Sequence, residues 1–326
     1  MYFELTEEQM AVREAARDFA RNELLPGVIE RDREMKFPKE QVRKMAEMGF
    51  MGMMNSPEYG GGGMDTISYV LAMEEIAKVD ASCAVIMSVN NSLVCWGLEK
   101  YGNEEQKQKY LTKLASGEYV GAWGLTEPNT GSDAGRMKCV ATKDGDYYVL
   151  NGTKNFITHG ASGEVAVVIA RTGELLDNHG MTAFIVERGA PGFAAGKKEN
   201  KLGMRASETA EMVFDNCRVH KSQVLGQEGD GFIQALKVLD GGRISIAALS
   251  VAIAKGAYEA SVKYAKEREQ FGKPIASFQA ISFKLADMAT KIDAAELLTR
   301  KAGDLKNKGL RCTQASAMAK LYASEI

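Results

Sequence analysis

The periodicity of this sequence changes twice, and the order of the changes restricts the fold. Up to about Glu118 apolar residues recur at helical spacing. From Tyr119 to about Gly226 the period approaches two, and after Gly231 it is helical again. The first third opens with Thr6-Glu-Glu-Gln9, a capping-box sequence, followed by Met10, Val12, Ala15, Ala16 and Phe19 at helical spacing. Pro26 breaks or kinks this helix. Pro38 opens a second that Gly49 ends, and Asp65 caps a third. Ala81 to Gly97 is small and apolar enough for a buried helix, and Glu104 to Leu114 is charged and amphipathic.

In the middle third, Asp144-Gly145 and Asn151-Gly152 read as tight turns flanking the strand Tyr147–Leu150. Further strands are expected at Val165–Ala170, Met181–Val186 and Glu211–Phe214. Several short strands with turns between them predict a compact β-barrel or sandwich of about a hundred residues. Helices follow at Phe232–Lys266, Gln279–Lys306 and from Thr313, the last with no stop signal before Ile326. The expected domains are therefore an N-terminal helical domain (1–118), a middle β-barrel domain (119–228) and a C-terminal helical bundle (229–326) that reads as incomplete.

Composition removes several function classes. A net charge of −2 argues against a nucleic-acid binder. The five Cys (83, 95, 139, 217, 312) are scattered without a C-x-x-C pair, which suits reduced thiols in a cytoplasmic or mitochondrial-matrix-like compartment. The start, Met1 to Glu8, lacks a signal-peptide pattern, and no apolar stretch reads as long enough to span a bilayer. Dinucleotide-fingerprint, P-loop and H-E-x-x-H motifs are absent, and His159, His179 and His220 lie apart from any ligand cluster, so no metal is expected.

Four segments remain. Trp123-Gly-Leu-Thr-Glu-Pro-Asn-Thr-Gly-Ser-Asp133 concentrates an aromatic, hydroxyls, a rigid Pro and a flexible Gly; its plain alternative is a loop whose Pro128 and Gly131 set a turn. Asn155-Phe-Ile-Thr-His159 is otherwise a strand with one exposed hydroxyl. Asp240-Gly-Gly-Arg243 reads by itself as a helix cap followed by a surface Arg. Arg268-Glu-Gln-Phe-Gly-Lys-Pro274, then Phe278-Gln279, follows a charged run that by itself reads as a solvated face.

Taken together, these segments resemble the acyl-CoA dehydrogenase family, and the resemblance extends over the whole chain. It implies an α+β fold with FAD as cofactor. Trp123, Leu125, Thr126 and Ser132 would line the isoalloxazine, and Ser132 would also touch the acyl-CoA. Phe156, Ile157 and Thr158 would form the second flavin segment. Asp240 and Arg243 would contact the CoA portion, where the planar donor fork of Arg suits phosphate and carbonyl groups. Arg268 and Gln279 would reach the dinucleotide end of FAD across a subunit interface, implying a homo-oligomer, commonly a dimer of dimers. Ser88-Val-Asn-Asn-Ser92, where relatives line the acyl cavity, resembles short-chain members, although a polar break in a buried helix explains it equally. His159, where many relatives have Asn, reads as structural.

The implied reaction is α,β-dehydrogenation of a short-chain acyl-CoA, with electrons passed to an electron-transferring flavoprotein. A carboxylate would take the α-proton. Most relatives place that Glu in a final helical segment, corresponding to positions beyond Ile326. A minority place it one residue before the Arg, where Gly242 stands here. No catalytic base is expected within residues 1–326, so the chain reads as C-terminally truncated and impaired. An acyl-CoA oxidase-like enzyme and a non-catalytic flavin- or CoA-binding module are the alternatives.

Overall fold

The computed structural model describes residues 4–177 and 179–326. The reading of residues 1–3 as part of a start without a signal sequence lies outside them. In chain order the helices are α1 (Glu7–Phe19), α2 (Val28–Glu34), α3 (Lys39–Glu47), α4 (Thr66–Ala77), α5 (Ala81–Ser88), α6 (Trp96–Tyr101), α7 (Glu104–Gln106) and α8 (Thr112–Ala115). Strands β1 (Gly121–Gly124), β2 (Val140–Asp144), β3 (Tyr147–Thr158), β4 (Val165–Arg171), β5 (Met181–Glu187), β6 (Phe193–Lys198) and β7 (Thr209–His220) follow. The chain ends with α9 (Gly231–Glu267), the two-residue strands β8 (Glu269–Gln270) and β9 (Lys273–Pro274), α10 (Gln279–Asn307) and α11 (Thr313–Glu325). This is the expected order of N-terminal helices, middle sheet and C-terminal helices.

By contact the chain forms two units, one of residues 1–28, 65–84 and 243–326, the other of 29–64 and 85–242. In the first, Thr6 caps α1 through a complete capping box, and Asp65 caps α4 by accepting from Ser68 N at 2.6 Å. The Arg17 guanidinium holds Glu75 through two bonds of 2.8 and 3.2 Å, joining α1 to α4. Gly303 on α10 lets Ile67 of α4 approach; a Cβ there would lie 2.9 Å from its Cδ1.

In the second unit the strands form one seven-stranded sheet in the order β1-β4-β2-β3-β7-β6, with β5 also on β4. Every residue of β4 is buried. Val165, Val167 and Ile169 enter a core shared with Leu98, Tyr110 and Trp123. Ala166, Val168 and Ala170 enter a second core with Leu150, Phe184 and Phe214. Strand alternation thus feeds two cores from one strand.

Three expectations need correction. Asn151-Gly152 is not a turn. It lies within β3 at a bulge, because Gly152 (φ +145°) passes so close to Cys139 that a Cβ would sit 2.7 Å from its Cα. Asp240 does not cap a helix; it lies inside α9, which starts at Gly231. Third, the helical stretch Ala81–Tyr101 is long and apolar enough to cross a membrane by length and composition, although 78% of its apolar window is buried within the protein. It continues through the wider turns of Val89–Cys95 and ends at Tyr101, beyond the Gly97 expected from the sequence.

Candidate functional site

Strand β1 is fully buried and pairs in parallel with β4, Trp123 opposite Val167. It ends at Gly124, and Leu125 and Thr126 are half-buried beyond it. Residues 127–130 then form a tight turn. Glu127 N donates to Thr130 O (2.9 Å) and Thr130 N returns to Glu127 O (3.1 Å), leaving Pro128 and Asn129 exposed at the tip. The Thr130 hydroxyl donates to the Asp133 carbonyl, and Ser132 is exposed between them. The sequence makes this turn because Pro128 fixes φ and has no N–H to satisfy.

The second segment is irregular. Its pairing with β7 shifts between Lys154 and Ile157, and Phe156 has φ +57°, unusual for a bulky residue. The Phe156 ring is 61% exposed, so the chain holds strained backbone under an aromatic face that no core claims. Ile157 is buried and Thr158 half-buried.

The structure brings these two segments together. Asn155 N donates to Thr126 O at 2.8 Å, and Lys154 Nζ donates to Leu125 O at 3.1 Å. Among the described residues, the hydroxyls of Thr126 and Thr158 have no hydrogen-bond partner. The Trp123 Nε1 donor is buried without one. A buried donor without a partner costs about 1–3 kcal/mol. An exposed aromatic face beside unpaired donors fits a flat heterocycle with a polar edge, and FAD has that chemistry.

The remaining expected site residues are not part of this juxtaposition. Asp240 and Arg243 are half-buried, three residues apart along α9. Arg268 and Gln279 are exposed and belong, with Arg243, to the other unit. Phe271, between β8 and β9, is 92% exposed and packs edge-on against Phe278. Of the Ser88–Ser92 segment, the two Asn side chains are committed to structure. Asn90 donates to Met51 O and Leu114 O and accepts from Gly121 N. Asn91 donates to Phe50 O and Met87 O and accepts from Met53 N. Ser92 bonds Ser88 O.

Carboxylates beside these two segments are likewise committed. Glu127 pairs with Lys154, Glu208 accepts from Ala161 N and Ser162 N, and Asp133 pairs with Arg136. His159 is fully buried, as its structural reading expects, and burial holds its imidazole below the usual value. Sequence reading missed Glu127, Lys154 and Arg171. The signal was present for Lys154, which shares the inward parity of Tyr148 and Leu150 on β3.

In chain order a sheet follows one run of helices and precedes another, and two segments joined by the Asn155–Thr126 bond lie within it, which agrees with the flavin-dependent oxidoreductase that the sequence leads one to expect. Family models for the acyl-CoA dehydrogenase N-terminal, middle and C-terminal domains match residues 6–118, 122–217 and 229–326. The chain belongs to the acyl-CoA dehydrogenase family, whose members are FAD-dependent. It is 47% identical over 326 residues to the short-chain specific acyl-CoA dehydrogenase of Clostridium acetobutylicum, covering 100% of this chain and 86% of that protein. It superposes with TM-score 0.97 and 45% identity on butyryl-CoA dehydrogenase from Megasphaera elsdenii, over 100% of this chain and 86% of that one. A chain from the structure reported as the electron transferring flavoprotein of Acidaminococcus fermentans superposes with TM-score 0.98 at 49% identity, again over 100% and 86%.

Proposed function

We propose that this chain holds FAD and a short-chain acyl-CoA for α,β-dehydrogenation to the enoyl-CoA. The observation that carries the reading is the Asn155 N–Thr126 O bond, which joins the segment carrying Phe156 and Thr158 to the segment carrying Trp123 and Thr126. Trp123, Leu125, Thr126, Ser132, Phe156, Ile157 and Thr158 hold the flavin, with Arg268 and Gln279 at its dinucleotide end in a homo-oligomer. Ser132, Asp240 and Arg243 bind the substrate. FAD, when bound, accepts the β-hydride. The chain's own residues orient the thioester and exclude water, which makes the weakly acidic α-proton easier to remove; no residue of 1–326 is assigned as the base that takes it. The domains 1–118, 119–228 and 229–326 divide this work. An electron-transferring flavoprotein is the acceptor that the Acidaminococcus likeness supports, and bacterial and mitochondrial relatives support a cytoplasmic or matrix location.

FAD titration of the purified chain tests the reading, followed by butyryl-CoA binding under anaerobic conditions. Saturable FAD uptake that Phe156→Ala or Thr158→Val weakens several-fold is expected. Parent-like affinity in both variants overturns the flavin assignment.

A further inference from the structure

The ion pair Glu127–Lys154 lies beneath the two flavin segments, and its side chains are 2% and 0% exposed. Lys154 Nζ has three protons and three partners: Glu127 Oε1 at 2.8 Å, Leu125 O at 3.1 Å and Met137 Sδ at 3.8 Å. Glu127 is equally committed. Its Oε1 also accepts from Cys139 N at 2.9 Å, and its Oε2 accepts from Lys138 N at 2.5 Å. The strand beside it makes room, since a Cβ on Gly124 would lie 3.3 Å from Lys154 Cγ.

These bonds converge on three places in the chain. One is β3, two residues before Phe156. Another is the start of the 127–130 turn, next to Thr126. The third is the end of the loop that carries Ser132. Arg171 fastens the same loop end, donating to Met137 O at 2.7 and 3.0 Å and to Gly135 O at 3.0 Å. The loop is thus closed at its base by buried charge, while its tip stays exposed.

Stability does not account for such a pair, because a buried ion pair replaced by neutral groups of similar shape often costs nothing. What neutral groups cannot reproduce is the simultaneous orientation of two backbone N–H groups, a carbonyl and a neighbouring strand. We propose that Glu127 and Lys154 are positioning residues that fix the register of the Leu125–Cys139 segment against Phe156–Thr158, and thereby set flavin affinity. The inference rests on the FAD reading above.

The test uses the full chain and two variants, the double substitution Glu127→Gln/Lys154→Met and the single Glu127→Gln, which keeps acceptors for part of the network. Amide hydrogen exchange over residues 125–139 without FAD, the melting midpoint and FAD affinity are measured for each. We expect the double variant to melt near the parent, to exchange at least tenfold faster in this segment but not in β4 or β5, and to bind FAD at least tenfold more weakly with a shifted flavin absorption band. Glu127→Gln, which leaves the buried Lys154 ammonium without its counter-charge, should melt below both, with exchange and FAD affinity between theirs. If the double variant does not fold, the single variant decides by the same readouts. Parent-like exchange, or parent-like FAD affinity and spectrum, overturns the proposal. A parent chain that takes up no FAD overturns the flavin reading and with it the effect on affinity, while the exchange measurement still decides the register.

Discussion

His159 donates from Nδ1 to the carbonyl of Gly121 at 2.8 Å, while its Nε2 is buried with no partner. Gly121 N is held in turn by Asn90 Oδ1 at 3.0 Å, so the first residue of β1 is fixed from both sides. The arrangement holds in one protonation state. Burial pushes the imidazole below its ordinary 6.5, opposed by the Gly121 bond and more weakly by Glu208. The unfolded chain therefore binds this proton more readily than the folded one. Stability from His159 is fully present above about pH 6.5 and is lost as pH falls below it towards the depressed folded value. Melting midpoints from pH 7.5 to 5 should fall more steeply for the parent than for His159→Asn, a residue that also tolerates the φ of +61°. Equal slopes would show that the buried imidazole does not govern acid sensitivity.

At Gly152 two constraints coincide, a φ of +145° and the close approach of Cys139. Gly152→Ala should cost about 2–4 kcal/mol by combining backbone strain with a clash against main chain. Urea unfolding measures this directly. Gly145→Ala is a control for positive φ alone (+59°), with no atom within 4 Å of the added Cβ, and should cost about 1 kcal/mol.

This glycine also marks where sequence reading ran out. Asn-Gly is a strong turn signal, and only the neighbouring strand reveals that Gly152 serves close packing instead. The helix starts at Thr6 and Asp65 were legible because their caps lie within a few residues. The segments 123–133 and 155–159 were legible as sequence, but not their adjacency, which depends on a bond between residues 126 and 155. Lys154 was passed over because a lysine in a strand usually marks a solvent face, and its partner lies on a different element.

In the other unit Lys255 lies between two carboxylates, 2.6 Å from Glu74 Oε2 and 2.7 Å from Glu296 Oε2, with Arg300 also on Glu296. Burial already pushes the Glu74 carboxyl above its usual 4.5. Lys255→Met leaves both acids without this cation and should destabilise by about 3–5 kcal/mol at neutral pH. A carboxyl whose folded pKa is raised contributes stability at low pH that is lost as pH rises. The melting difference between parent and variant should therefore narrow as pH is lowered towards 4.5. A difference that stays constant with pH would assign the loss to packing alone.

Gly242 offers a gain-of-function test. A Cβ built on Gly97 would lie 3.3 Å from the Trp123 ring and 3.7 Å from Val238 Cγ2, so the indole and this face of α9 meet at Gly97. Gly242 is one helical turn beyond Val238 on the same face. Its own Cβ would meet only Leu93 Cδ2, at 2.9 Å, the far end of a flexible side chain. Gly242→Glu combined with Leu93→Ala therefore admits a carboxylate on the Trp123 side of α9. With FAD bound, anaerobic butyryl-CoA should bleach the flavin band of this variant, while Gly242→Gln/Leu93→Ala binds the same ligand without bleaching. Bleaching should rise with pH as the new carboxyl ionises, since only the anion takes a proton. If neither variant bleaches although both bind FAD and butyryl-CoA, position 242 does not face the α-carbon, and the placement of substrate along α9 is wrong.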